Sequence, residues 1–443
     1  MISSQEYARR RQRLIESIGA DGVAIFCASP ERQRSHDTQY PYRASSDVLY
    51  LTGFKEPESV VVVAPGHDDG DFILFVRDRD PKMEQWEGRR AGTAGALERF
   101  GADTAHTIDK LDEMLPTYLS GREVLYYTFG ADAAFDARIL GMNNKLRHKR
   151  NQVSAAPGSV RDARDLVHAM RQLKSEEEIQ IMKRAAVITS EAHVLAMRAC
   201  KPGMREYELQ ALIEFHFKRH GASFPAYTSI VGSGDNATIL HYVENDDVIN
   251  AGEVVLIDAG CELDYYAADI TRSFPASGTF TPAQKDLYQA VLDAEMHAVG
   301  LCAPGLAYDQ IQAQTARRLT QSLVDLGLLE GDADALYEDG AYRTYYPHST
   351  GHWLGADVHD VGSYYDAKDT SAALKPGHVL TIEPGIYVPL HDERAPAELR
   401  GVGVRIEDDI LITATGHENL TQSCPKEVSA IEGLVGSGVT LDF

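Results

Sequence analysis

The chain has 443 residues, which is room for two or three domains. Apolar residues make up 44% and charged residues 25%, ordinary globular usage that excludes a disordered chain, a collagen or a coiled coil as the main architecture. A net charge of −23 argues against nucleic acid, no apolar run is long enough to span a membrane, and five cysteines without CxxC spacing exclude a disulfide framework or a cysteine zinc cluster. The cysteine usage fits a reducing compartment and the start lacks the apolar core of a signal peptide, so a cytoplasmic location is expected.

In chain order, residues 1–20 read as a helix with Leu14, Ile15 and Ile18 on one face. Short apolar runs follow at 23–27, 48–52, 59–64 and 72–76, each bounded by turn residues and each predicted as a strand. Helical stretches are expected around 82–100, 107–120 and 130–141. The alternation predicts an α/β domain with a mixed sheet over residues 1–172. The basic run 145–150 and the segment 154–158 read as an exposed connection. Ser175 stands three positions before Glu178, a capping box that opens a helix expected to reach about 199. Further helices are predicted over about 205–219, from Thr281-Pro282 onward, and over about 308–327. Strand-like runs at 254–261, 266–273, 378–388 and 402–413 complete an α+β domain over residues 173–443.

Charge divides along the same line. Residues 1–172 carry 24 basic and 25 acidic side chains, and residues 173–443 carry 19 and 41. Within the acidic half, carboxylates stand at the ends of apolar strands. Asp258 closes Val254-Val-Leu-Ile-Asp, and Asp269 follows eleven residues later. A hairpin turning at Leu263-Asp264 would set these two directly opposite each other, and bare carboxylates that close require a proton or a cation between them. Glu383 ends Val379-Leu-Thr-Ile-Glu, and Glu407 lies in a strand where Asp408 and Asp409 compete with it. Alternation puts Arg405, Glu407 and Asp409 on one face and Asp408 on the other. Four histidines lie nearby in the sequence: His241, His348, His352 and His359. Four carboxylates and an imidazole suit two hard-to-borderline dications, which would activate a water as nucleophile.

These residues, in order and local context, resemble the ligand set of the pita-bread metallopeptidases, which include methionine aminopeptidases, prolidases and Xaa-Pro aminopeptidases. The stretches ILHYVEN, IDAGCELDYYAADITRSFP, GHWLGADVHDVG, TIEPGIYV and GVGVRIEDD are most similar to the bacterial aminopeptidase P group, as are HDTQYPYRASSDVLYLTGFKEPES and the Trp86-Glu-Gly-Arg-Arg segment. The resemblance implies a curved antiparallel sheet in the C-terminal domain. It implies two divalent metal ions, with Mn²⁺ favoured and Zn²⁺, Co²⁺ or Fe²⁺ as alternatives, on Asp258, Asp269, His352, Glu383 and Glu407. It implies Glu383 as general base, and His241, His348, His359 and Arg405 in catalysis or substrate binding. Asp37 resembles a residue that pairs with that arginine, Tyr387 is a hydrogen bonder behind the ligands, and Trp86, Tyr227 or Trp353 would stack on a proline ring. The implied substrate is a peptide with proline at position two, and the implied assembly a homo-oligomer, dimer or tetramer, built through the nearly neutral N-terminal domain. The alternatives are a prolidase of the same fold, restricted to dipeptides, a non-catalytic binding module and a metal-free creatinase-like hydrolase. The last two are disfavoured because all five ligand positions are filled.

Overall fold

The computed structural model describes residues 1–148, 156–366 and 368–439. Contacts divide it into two compact units, residues 2–171 and residues 172–443 together with Met1.

The first unit is built on a six-stranded sheet. Its strands are β1 (Gly22–Cys27), β2 (Val60–Val63), β3 (Phe72–Val76), β4 (Thr104–Thr107), β5 (Val124–Tyr126) and β6 (Ser159–Arg161), in spatial order β4-β3-β2-β1-β5-β6. β1, β2 and β3 pair antiparallel, and the three outer pairings are parallel, so the sheet is mixed. The unbroken runs VVVV and FILFV follow from burial on both faces. Val61, Val63 and Leu74 pack on one side against Leu14, Leu51 and Val167. Val60, Val62 and Phe75 pack on the other against Leu115, Leu119 and Ile139.

Three local readings are corrected. Residues 48–52 form not a strand but the helix Ser46–Thr52. Gly53 closes it in the left-handed region, and Arg10 and Arg11 donate to the carbonyls of Tyr50 and Leu51, both at 3.0 Å. Those arginines satisfy end-of-helix acceptors that local β-propensity ignores. The stretch 82–100 is two helices, Pro81–Glu87 and Gly92–Phe100, parted at Gly88. The helix expected to end near 141 runs from Ala133 to Arg147, because Leu146 is buried and Lys145 and Arg147 suit its negative C-terminal end. The remainder of the expected connection, residues 149–155, lies outside the described residues.

The second unit starts with helices Glu176–Ala199 and Glu206–Arg219, and the Ser175–Glu178 capping box is formed in both directions. Thr281 and Gln284 form another at helix Pro282–Leu301. Helix Tyr308–Asp325 follows. The strands that matter here are β7 (Ile230–Ser233), β8 (Val254–Asp258), β9 (Cys261–Leu263), β10 (Tyr266–Ala267), β11 (Thr271–Pro275), β12 (Val379–Ile382), β13 (Gly385–Val388), β14 (Val402–Arg405) and β15 (Asp408–Ile412). All their pairings are antiparallel: β7-β8-β11, β9-β10, β12-β15 and β13-β14. A bridge from Thr271 to Glu407 joins β11 to the segment between β14 and β15. No described helix is long and apolar enough to cross a membrane.

Candidate metal centre and substrate cavity

The hairpin that carries Asp258 and Asp269 turns one residue later than expected. Asp264 and Tyr265 are its central pair, both with positive φ (48° and 71°), the backbone of a primed two-residue turn. Asp258 therefore pairs with Thr271, and Asp269 falls opposite Gly260. The shift is two residues along the partner strand, so side-chain parity survives and both carboxylates still meet on one face. Gly260 has to be glycine, because a Cβ there would lie 1.7 Å from the Ala268 carbonyl oxygen. Gly351 has the same role beside β12, where a Cβ would lie 1.9 Å from the Thr381 oxygen. That close approach lets His352 N–H donate to Thr381 Oγ1 (3.0 Å) while Thr381 N–H donates back to the His352 carbonyl (2.9 Å). Glu383 N–H is fixed on the Thr350 carbonyl at 2.7 Å. The 348–352 segment is not helical.

These elements bring ligand atoms of Asp269, His352 and Glu407 within 4.8 Å of one another. His352 Nε2 lies 3.5 Å from both Asp269 Oδ2 and Glu383 Oε1. Its Nδ1–H donates to the Trp353 carbonyl at 3.0 Å, which aims the Nε2 lone pair at the carboxylates. Asp258 closes the group: Tyr227 Oη reaches Asp258 Oδ1 at 2.6 Å and also Asp269 Oδ1. One hydroxyl carries one proton and can satisfy one of those two oxygens. The other contact needs a proton on a carboxyl group or a cation in its place.

Electrostatics make the same point. Burial, then repulsion from Asp269, Glu383 and Asp258, pushes the Glu407 carboxyl well above its ordinary value. Burial also raises Asp269, against the His352 contact. Glu383 is pushed up to about 7 by burial, with His352 and Arg405 opposing. Burial would lower His352, but Asp269 and Glu383 carry it up to about 9. The cluster thus holds protons that a dication would displace, and the donor set of four carboxylates and one oriented imidazole fits such an ion.

Around the ligands, all three guanidinium nitrogens of Arg405 are engaged. Its Nη2 donates to Asp258 Oδ2 at 2.6 Å, its Nε to Thr271 Oγ1 at 3.0 Å and its Nη1 to Tyr387 Oη at 2.9 Å. The Thr271 hydroxyl in turn donates a hydrogen bond to Glu407 Oε2 at 2.6 Å. Tyr387 lies within 2.7 Å of His348 Nε2, while His348 Nδ1–H is held by the Ser349 carbonyl at 2.8 Å, so Tyr387 donates. Burial lowers His348 to about 4, which keeps it neutral. The neighbouring acids are separated. Asp408 faces away, into Arg272 and Lys426, both at 2.6 Å. Asp409 Oδ2 accepts from Asp269 N–H at 3.1 Å.

All of this opens on a cavity of about 1120 Å³. His241, His348, His352, His359, Glu383, Arg405 and Glu407 line it, together with Asp258, Asp269 and Tyr227. The rings of His359 and His352 meet edge to face at 4.4 Å. Burial and the neighbouring His352 and His241 hold His359 below its ordinary value. Tyr387 lies behind this wall, 3% exposed. Trp353 does not reach the cavity: it is fully buried, stacked on Tyr364, in a core cluster with Leu380 and Ile382. Asp37 lies in an exposed hairpin and Trp86 is 86% exposed on helix Pro81–Glu87, both in the first unit. Sequence reading missed Thr271, Thr381 and the cavity tyrosines Tyr308 and Tyr364. Register alone could have found Thr271, as the true partner of Asp258.

A largely buried carboxylate–imidazole cluster at the ends of antiparallel strands defines a metallohydrolase of the pita-bread class. Metallopeptidase family M24 matches residues 180–414, the aminopeptidase P N-terminal domain matches residues 7–126, and the chain belongs to family M24. It is 45% identical to an Xaa-Pro aminopeptidase of Escherichia coli over 435 residues, covering 98% of each chain. It is 36% identical to Xaa-Pro aminopeptidase 3 of Homo sapiens, covering 97% of this chain and 86% of that one. Among solved structures it is similar to Pseudomonas aeruginosa aminopeptidase PepP, with TM-score 0.96, 46% identity and 98% of both chains covered. A zinc-substituted E. coli aminopeptidase P in complex with product gives TM-score 0.94 at 45% identity, again over 98% of both chains.

Proposed function

We propose that this protein is a metal-dependent aminopeptidase that releases the N-terminal residue from peptides with proline at position two. The observation that carries the reading is the cluster of buried Asp258, Asp269 and Glu407 with half-buried His352 and Glu383 on the wall of one large cavity. These five residues would hold two dications. Oxygen-rich ligation favours Mn²⁺ over Zn²⁺. When bound, the ions supply Lewis acidity and lower the pKa of water.

The chain's own residues do the rest. Glu383, whose second oxygen lies 3.7 Å from His348 Nδ1 at the cavity wall, takes the proton of the attacking water and returns it to the departing prolyl nitrogen, which has no N–H of its own. His241 and His359 line the cavity with no hydrogen bond to another described residue, so their ring nitrogens are available to the scissile carbonyl and the oxyanion that forms from it. His348 is committed to Tyr387 and Ser349, and so orients the wall. Arg405 acts as a positioning residue that fixes Asp258 and, through Thr271, Glu407. Tyr308 and Tyr364 offer aromatic surface in the cavity. For Trp86 and Asp37 the family resemblance alone supplies a role beside the substrate. Free cysteines, four of them buried, suit a cytoplasmic location, and the nearly neutral charge of the first unit suits a homodimer or homotetramer.

A cavity of about 1120 Å³ is larger than a dipeptide requires. The test is a length series: Xaa-Pro, Xaa-Pro-Yaa and longer peptides under one metal condition. Release of the first residue from tripeptides and longer peptides is expected. Hydrolysis confined to the dipeptide would make the enzyme a prolidase.

A further inference from the structure

A second group of metal-ligating side chains lies outside this cavity. Helix Glu206–Arg219 ends in His216-Phe-Lys-Arg-His220, which places two imidazoles one turn apart. Their ring centroids are 4.1 Å apart. Glu191 faces them from the adjoining helix Glu176–Ala199, with Oε2 3.3 Å from His216 Nε2. One ligand atom from each of the three residues lies within 4.8 Å of the others.

Three features fit a cation better than a chance surface cluster. His216 Nε2 and Glu191 Oε2 share a hydrogen bond at 3.3 Å, and ligands about 2.1 Å from a tetrahedral zinc ion stand roughly 3.4 Å from one another, so an ion can replace the shared proton with little movement of either side chain. His220 Nδ1 lies 2.9 Å from the His216 carbonyl and can only donate to it, which leaves the lone pair of a neutral His220 on Nε2, the nitrogen that can ligate. The negative end of the helix adds attraction for a cation.

We infer that Glu191, His216 and His220 form a peripheral site for a borderline dication such as Zn²⁺, Ni²⁺ or Cu²⁺, with water completing the shell. Two imidazoles and one carboxylate select this class, whereas the oxygen-rich cavity selects harder ions. The bound ion clips the end of helix Glu206–Arg219 to helix Glu176–Ala199 and stabilises that pairing in proportion to occupancy.

The test uses the manganese-loaded full chain, equilibrated with Zn²⁺ by dialysis, with bound metal counted by elemental analysis. Wild type is expected to hold one more zinc equivalent than H216Q/H220Q, because any exchange in the cavity is common to both. E191Q, which keeps both imidazoles, is expected to weaken the extra equivalent by about tenfold or more. Both variants change exposed or half-buried residues away from the cavity and are expected to keep wild-type peptidase turnover. A zinc-edge anomalous map from a soaked crystal is expected to peak between the three side chains. Equal zinc content in wild type and H216Q/H220Q, or an extra equivalent bound elsewhere, overturns the proposal.

Discussion

Removing the metal should make the stability of this protein fall as pH rises, in a way the loaded protein does not share. The reason lies in Glu383. Its carboxyl is raised by burial from an ordinary 4.5 to about 7. A group raised on folding contributes stability that is fully present below its unfolded value and is lost as pH climbs through its folded value. That change corresponds to about 3 kcal/mol lost between pH 4.5 and pH 7. His352, carried up to about 9, acts in the same direction over a higher range. A bound dication keeps the carboxylate ionised and the imidazole neutral, so the loaded protein lacks this dependence. The assay is thermal unfolding of chelated and manganese-loaded protein between pH 5 and 8.5, read as the difference in midpoint. For a unit of this size that difference should widen by roughly 6–12 °C across the range. The difference matters more than either curve, because groups outside the cluster cancel in it. In chelated E383Q much of the pH dependence should disappear. A midpoint difference independent of pH, or one that narrows as pH rises, would refute the reasoning.

The other predictions concern single contacts. Thr271→Val removes the hydroxyl shared by Arg405 and Glu407, and metal affinity, read by competition with a chelating dye, should fall about 10- to 100-fold. Arg405→Ala leaves Asp258 Oδ2 and Tyr387 Oη without the guanidinium donor, and the same assay should show a larger loss than Arg405→Lys, which keeps the charge but not the three-way geometry. Glu383→Gln should fold, by circular dichroism and thermal midpoint, yet lose most turnover. Activity should decline below about pH 6, where protons compete with metal for the carboxylates and histidines. Gly260→Ala should fail to give soluble protein, since its Cβ would overlap the Ala268 carbonyl.

How much of this was legible in the sequence depends on what each residue answers to. Asp258 and Glu383 were visible because an apolar strand ending in a carboxylate is a local pattern. Asp258 and Asp269 shared a face even with the turn misplaced by one residue, because parity tolerates a two-residue slip. Ser175 and Thr281 opened their helices as predicted, through reciprocal hydrogen bonds that are wholly local. The helix at 46–52 was misread because its end is satisfied by Arg10 and Arg11, about forty residues earlier. Thr271 was overlooked for a related reason: its importance comes from standing between Arg405 and Glu407, more than 130 residues away. Trp353 looked available for substrate, but its neighbours in space turn it into the core.

In the proposed reading, Asp258, Asp269, His352, Glu383 and Glu407 would hold two dications, and hydrolysis of the bond before proline depends on them. The most direct test is the rate of N-terminal residue release from an Xaa-Pro-Yaa tripeptide, measured on one sample as purified, after chelation and dialysis, and after Mn²⁺ is restored. Activity should be lost on chelation and return with metal in wild type, and should not return in D269A. Full activity in the chelated protein, or wild-type recovery in D269A, would contradict it.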